Sequence, residues 1–589
     1  MDEMDVKKYK EIIASLPSGN VTYKTINGKR YPYYQWMENG KQRSRVIKKD
    51  ELDILLHNIS MRKILLEKIN KPYIDYYFED SIYDFNSSIL FGKELKEFVS
   101  SIKDFKKRDC YKNIKDYIYG NTIDKVFILY GLRRTGKTTL IKQVIFDMDE
   151  DVFNKTAFIQ ITSSSSLAAL NKDLKKLKSL GYKYIFIDEV TLLDEFIEGS
   201  ALFSDVYAAL GMKIVLSGTD SLGFILTKSE QLYDRCILEH TTFIPYREFN
   251  NVLGISGIDE YIRYGGTMSL SGINYNHEFV FNNDKSVNDY IDSSIAHNIQ
   301  HSLKYYNNGN HFRHLQELYE NNELTNVINR VVEDINHRFT KDVLISEFKS
   351  NDLALSSRNL RMDKNNPSTI LDDIDKDKVI KHLKTMLDIL DVYEQKVPLN
   401  EIHATEIKEY LFLLDLIYEI DVKSLPISND IKKNIVISQP GLRYAQAISL
   451  IDSLLLDEKF NDLSLQDKNN ISSRILNEIK GRMMEDIILL ETKLYYKDKQ
   501  VFKLKFKVGE FDMVIFDPLT SSSEIFEIKH SKETHHSQYR FLVDEEKLNL
   551  SRFKYGEIKR RCVIYNGISH IENDIEYINV DEYLLFNEK

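Results

Sequence analysis

The chain has 589 residues, enough for about three to five domains, each with its own core. Its 80 Lys and Arg against 90 Asp and Glu give a formal net charge of −10, which excludes a globally basic nucleic-acid binder and leaves local basic surfaces to be sought. Cys110, Cys236 and Cys562 are odd in number and widely spaced, which excludes a disulfide framework or zinc site; with no run of about 18 apolar residues and an acidic start, a soluble, cytoplasmic protein without a membrane segment is expected.

Residues 1–20 carry a short helical pattern that breaks at Leu16-Pro-Ser-Gly-Asn20. Val21 to Ile26, Lys29 to Met37 and Lys41 to Ile47 are strand-like and are separated by Asn27-Gly28 and Glu38-Asn-Gly40, so a three-stranded meander is predicted. Between Val21 and Lys49, Lys24, Lys29, Arg30, Lys41, Arg43, Arg45, Lys48 and Lys49 face a single acid, Glu38, and are interleaved with tyrosines and Trp36. Such a sheet is either a nucleic-acid surface or a solvated edge guarded by lysines. Asp50 to Lys68 reads as an amphipathic helix, which closes a first module over 1–70. A connector over 71–120 follows, rich in Tyr, Lys and Asp, with one helix from Gly92 to Phe105.

Val126 to Tyr130 is a continuous apolar run suited to a parallel strand covered on both faces. It leads into Gly131-Leu-Arg133-Arg134-Thr135-Gly136-Lys137-Thr138-Thr139, which fits the G-x-x-x-x-G-K-[ST] spacing, and then into an apolar-faced helix. The glycines admit backbone N–H groups to phosphate oxygens at a helix N-terminus. Lys137 would reach the β/γ-phosphates, and the Thr138 hydroxyl would hold Mg²⁺. A second strand, Tyr184 to Ile187, ends in Asp188-Glu189 at the same sheet edge: Asp188 is the expected Mg²⁺ partner and Glu189 the group that orients or deprotonates the attacking water. A third run, Lys213 to Leu216, ends in Ser217-Gly-Thr-Asp220, with Ser217 the first choice and Thr219 the second for sensing the γ-phosphate. The serine run Ser163 to Ser166 reads as a strand-end loop.

Beyond that strand lie Tyr233-Asp-Arg-Cys236, Phe243-Ile-Pro-Tyr-Arg-Glu-Phe249 and Tyr261-Ile-Arg-Tyr-Gly-Gly266. Together with the paired Arg133 and Arg134, this block resembles the prokaryotic AAA-like, archaeal-ATPase-type proteins over roughly residues 120–589. The resemblance implies ATP as the nucleotide, an α/β P-loop ASCE/AAA-like core over 121–270, a helical lid over 271–374 and a winged-helix-like module over 375–455. Arg235 is the expected nucleotide-sensing cation, and Arg247 an ion-pair partner. Arginines acting between copies would imply a homo-oligomer.

The last segment, 456–589, holds a second constellation. Gly481-Arg-Met-Met-Glu485 opens an amphipathic helix, and the strands that follow carry Asp512 and Glu527-Ile-Lys529, with alternation setting Glu527 and Lys529 on one face. This is the arrangement of a PD-(D/E)XK nuclease, in which Asp512 and Glu527 clamp a divalent ion, Mg²⁺ or Mn²⁺, and Lys529 stabilises charge. Glu485 would complete the metal shell, and Gln538 matches a polar helix position beside such sites. The domain resembles the nuclease-like domain fused to these ATPases. An ATP-gated nuclease acting on foreign or mobile DNA is therefore expected. An ATP-dependent signalling or oligomerisation switch that recruits a partner protein without cleavage, and a DNA-binding motor, stand as alternatives.

Overall fold

The computed structural model describes residues 16–26, 29–38, 41–47, six positions between 51 and 62, 85–102, 105–193, 196–219, 224, 232, 234–241, 243–267, 290–296, 299, 312–321, 323–349, 401–426, 432–455 and 464–585. The opening helical pattern, most of the helix expected over 50–68, the start of the connector, much of the lid and the start of the winged-helix-like module expected over 375–455 fall outside them. The chain divides into two units, residues 1–84 and 85–589.

In the first unit, β1 (Asn20–Ile26), β2 (Lys29–Glu38) and β3 (Lys41–Val46) form an antiparallel sheet in that order. Tyr34 and Trp36 stack at 5.1 Å, and the register sets Arg45 opposite Tyr34 and Arg43 opposite Trp36, so aromatic and basic groups share one face. The side chains of Lys24, Lys29, Arg30 and Lys41 lie outside the described ones.

The second unit contains two sheets. The first has β4 (Ser88–Leu90), β5 (Val126–Tyr130), β6 (Thr156–Gln160), β7 (Tyr184–Asp188), β8 (Lys213–Gly218) and β9 (Cys236–His240), in the order β4-β6-β7-β8-β5-β9, parallel except for β4. Burial on both faces explains the unbroken apolar run of β5. Val126, Ile128 and Tyr130 enter a core with Leu170, Leu174 and Tyr207, while Phe127 and Leu129 enter another with Ile114, Leu140 and Ile141. Within the stretch expected as a connector docking against the ATPase, β4 and the helices Gly92–Ser100 and Tyr111–Tyr119 are part of this layered block.

The second sheet has β10 (Ile417–Ser424), β11 (Lys432–Ile437), β12 (Gln500–Lys505), β13 (Glu510–Asp517), β14 (Ser522–Lys529), β15 (Glu557–Tyr565), β16 (His570–Glu572) and β17 (Ile575–Asn579), in the order β11-β10-β12-β13-β14-β15-β17-β16. This corrects the winged-helix-like module. β10 and β11 are antiparallel, as a wing would be, but β10 also pairs in parallel with β12 from Asp421 opposite Phe502 to Ser424 opposite Lys505. That pairing covers an edge of β12 that would otherwise present unpaired backbone. Within the lid expected over 271–374, the described residues include one 26-residue helix, Leu324–Lys349. A single apolar core joins Tyr246, Phe249 and Tyr261 to Ile479, Met483 and Ile487 of the helix Leu465–Tyr495, and to Met513, Phe526 and Ile528 of the second sheet.

Candidate functional site

The C-terminal ends of β5, β7 and β8 bring the first group of residues together. Gly131 has φ +143, and a Cβ there would lie 2.2 Å from the Thr241 carbonyl oxygen, so only glycine fits. Arg134 and Gly136 are left-handed, at φ 66 and 84, which turns the chain into the helix Lys137–Phe146. Lys137 is buried, and its Nζ donates to the carbonyls of Gly131 at 2.8 Å and Leu132 at 2.9 Å. Burial pulls its ammonium down to about 8, against the pull of Glu189 and Asp188. Arg133 and Arg134 are exposed on the turn, whereas Thr135 is buried and its hydroxyl donates to the Leu132 carbonyl at 2.9 Å.

Thr138 donates its hydroxyl to Asp188 Oδ2 at 2.8 Å, and Ser217 donates to Asp188 Oδ1. Asp188 therefore joins the loop to β8, which the strand order places between β5 and β7. Glu189 has left-handed backbone at φ 55, its burial pushes the carboxyl up, and the Thr219 hydroxyl lies 3.5 Å from its Oε2. Residues 123–250 match the AAA domain family. This stretch is an AAA-type P-loop ATPase domain.

Residues 3–56 match a domain of unknown function, DUF6788. No curated protein matches the chain. Among solved structures it is similar to the Aeropyrum pernix ORC1 protein in complex with DNA, at 13% identity, covering 62% of this chain and 93% of that one, with a TM-score of 0.19.

Arg235 corrects the expectation for a sensing cation in the ATPase domain. It precedes β9, its carbonyl accepts from Val126 N at the start of β5, and its guanidinium pairs with Asp205. The loop lies at the other end of the same strand, about 13 Å along at 3.3 Å per residue. Arg247 pairs with Asp109, as an ion-pair residue does. Ser166, in the serine run, caps the helix Leu167–Ser179 by accepting from Ala169 N.

One supporting residue of the ATPase domain was missed. Arg108 is 7% exposed and donates to Glu248 at 2.6 Å, to the Thr135 carbonyl of the loop at 2.7 Å and to the Phe243 carbonyl at 3.1 Å. It sits in the run Lys106-Lys107-Arg108-Asp109, which reads as solvated charge. Its partner Glu248 belongs to the Pro-Tyr-Arg-Glu-Phe segment, the one signal that an acid there has a structural role.

The second group lies where β13 meets β14 and the helix Leu465–Tyr495. The ladder pairs Phe502 with Val514 and Leu504 with Phe511, so two residues, Asp512 and Met513, oppose the single Lys503. A β-bulge of this kind re-aims side chains. Asp512 Oδ2 accepts from Ile528 N at 2.8 Å and from Lys529 Nζ at 2.9 Å, and Lys529 Nζ is 2.7 Å from Glu527 Oε2. Burial acts to raise Asp512, but Lys529 and Lys503 outweigh it and hold the carboxyl at about 2. Burial, reinforced by Asp512, pushes Glu527 well up, and its Oε1 is buried without a hydrogen-bond partner. Lys529 is held above its ordinary range, because Asp512 and Glu527 more than offset its burial.

Glu485, expected to complete a metal shell, is held by two cations. Its Oε2 accepts from Arg482 and Lys503, both at 2.9 Å, since a buried carboxylate needs cationic partners; even so, burial raises its pKa. Gln538 closes a capping box with His535 and donates to Ser531 and the Glu533 carbonyl. Glu485, Lys529 and Gln538 line a cleft of about 1110 Å³, with Asp512 and Glu527 buried and outside its lining. Among the described residues no group of three or more His, Cys, Asp or Glu converges as a metal cage.

Proposed function

We propose that the ATPase domain drives or gates a metal-dependent DNA nuclease domain at the C-terminal sheet. The carrying observation is the Asp512, Glu527 and Lys529 cluster beside the cleft, with Glu527 Oε1 lacking a partner in a buried place. A buried acceptor left open is costly unless a ligand satisfies it.

At the ATPase domain, Lys137 would exchange the Gly131 and Leu132 carbonyls for phosphate oxygens of ATP, and the helix N-terminus would face the same anion. The Thr138 hydroxyl and the Asp188 carboxylate are the hard oxygen donors that Mg²⁺ takes. Mg²⁺ neutralises charge on the phosphates when bound. Glu189, its pKa raised by burial, is a stronger base toward a water than an exposed carboxylate would be. Arg133 and Arg134, exposed on the turn, are available to phosphate or to a neighbouring copy in a homo-oligomer.

At the C-terminal cluster, Asp512 and Glu527 would hold Mg²⁺ or Mn²⁺, whose role is to polarise a phosphodiester and its attacking water. Lys529 would move from the two carboxylates toward the phosphate. Glu485, fixed by Arg482 and Lys503, would set the charge of the pocket rather than ligate. In the first unit, Trp36 stacked on Tyr34 with Arg43 and Arg45 opposite suits contact with nucleic acid through stacking and phosphate pairing.

A second reading is favoured by one observation: the acids of the cluster already have internal cations, as a non-cleaving switch that engages a partner protein would have. Incubating the full chain with plasmid and single-stranded DNA, with Mg²⁺ or Mn²⁺ and with or without ATP, separates the two. Asp512→Ala is expected to abolish cleavage and leave phosphate release intact, while Glu189→Gln lowers phosphate release by about 10²-fold or more and retains ATP binding. Cleavage by Asp512→Ala equal to the parent's, or no cleavage under any condition, replaces the nuclease reading with the switch.

A further inference from the structure

The loop that would cradle phosphate and the helix that carries Glu485 are joined by a short series of buried hydrogen bonds. The series begins at Arg108, which lies outside the residues matched to the AAA domain. Its guanidinium holds three separate places: the Thr135 carbonyl in the loop, the Phe243 carbonyl after β9, and Glu248 in the helix Tyr246–Leu253. Glu248 also accepts from Asp109 N at 2.8 Å, so it is fixed from two sides. The same helix begins at Tyr246, whose backbone N–H donates to Glu491 Oε1 at 2.7 Å. A carboxyl oxygen from another element thus satisfies an N–H at the helix start.

Glu491 belongs to the helix Leu465–Tyr495, six residues beyond Glu485, or about 9 Å along the axis. The Tyr246 hydroxyl extends the contact, donating to Asp581 Oδ1 at 2.6 Å and accepting from Gly257 N at 3.1 Å. Tyr246, Phe249 and Tyr261 are packed in one core with Met483, Ile487 and Met513. Dense packing leaves such a connection little room to absorb a shift of the loop.

We propose that Arg108 is a positioning residue of the nucleotide site and that, through Glu248 and the helix Tyr246–Leu253, it links nucleotide at Lys137 to the helix carrying Glu491 and Glu485. The guanidinium fork reaches the loop and Glu248 at once, which a lysine ammonium cannot do with the same geometry. Because coupling is reciprocal, whatever binds beside Glu485 alters nucleotide affinity by the same factor. The proposal rests on the ATPase reading and is independent of whether the C-terminal cluster cleaves DNA.

Backbone hydrogen exchange on the full chain, with and without a non-hydrolysable ATP analogue and Mg²⁺, tests it. In the parent, the analogue is expected to slow exchange over 131–139 and also to change it over 244–253 and 483–492. Arg108→Lys is expected to bind the analogue roughly five- to tenfold more weakly, keep protection over 131–139 and lose the response over 483–492. A merely structural Arg108 would lower thermal stability and leave that response in place. Should Arg108→Lys fail to fold, Glu248→Gln is read in the same way. Protection over 131–139 in the parent with no response over 483–492, or a parent-like response in both variants, overturns the proposal alone. No protection over 131–139 in the parent overturns the ATPase reading with it.

Discussion

Lys137 is a cation in a place that disfavours its charge. Its amine is buried and faces two carbonyls, and burial draws its pKa to about 8. A triphosphate supplies the opposite charge, so the bound state moves the amine back toward its ordinary value and binding takes up a proton above pH 8. The direction is fixed: affinity is level below about pH 8 and falls as pH rises through it, by on the order of tenfold per unit at most. Titration of a fluorescent ATP analogue between pH 7 and 9.5 measures this, and a flat profile would remove Lys137 from the binding role. The turn that carries Lys137 and Thr138 was legible because its spacing is a backbone requirement written in glycines, and Asp188 because it ends an apolar strand. The sign of Arg235 was not, because a residue number does not say which end of a strand it occupies. Nor was Arg108, since its partners Thr135, Phe243 and Glu248 are 27, 135 and 140 residues away.

The helix Leu465–Tyr495 serves two neighbours at once. Ile479, Met483 and Ile487 fill the shared core, Glu485 meets Arg482 and Lys503, and Glu491 meets Tyr246 of the ATPase domain. Burial pushes Glu491 up from 4.5 to about 8, although the Tyr246 N–H opposes the shift. The folded pKa lies above the unfolded one, so its favourable contribution is complete below pH 4.5 and is lost as pH rises toward 8. Glu491→Gln keeps an oxygen acceptor for Tyr246 N and does not titrate. Across pH 5 to 8 the parent's Tm is expected to fall by a few degrees relative to that of Glu491→Gln; parallel curves for the two proteins would refute the assignment. At this scale the alternation of Glu527, Ile528 and Lys529 was readable, and so was an amphipathic helix after Gly481. The helix start at Leu465 was hidden in polar sequence. The bulge at Asp512 and Met513 could not be read, because one extra residue opposite Lys503 exists only in the pairing of two strands.

At the level of the molecule, the sequence suggested a chain of modules, whereas in the second unit the helices that follow β9 share one core with the second sheet. Helix-and-strand order alone fits a wing at β10 and β11; what overrides it is the parallel pairing of β10 with β12, a contact between residues about 80 positions apart. A cut at residue 455 therefore removes an inner partner of the sheet rather than a separate module. In a fragment spanning 456–589, β12 becomes an edge strand carrying Val501, Phe502 and Leu504, all buried in the full chain. Exposed apolar edges recruit other chains. A fragment spanning 85–589 retains β10, β11 and the helices Leu324–Lys349 and Glu401–Leu413, whose Ile328, Val331, Tyr410 and Leu411 pack in one core, and keeps Tyr246, Phe249 and Tyr261 in the core of the second sheet. Size-exclusion chromatography at equal concentration is expected to find the shorter fragment in aggregates and the longer one in discrete species. A well-behaved monomer from 456–589, with the far-ultraviolet circular dichroism of a folded sheet, would show that β10 and β11 are dispensable and that the modular division was right.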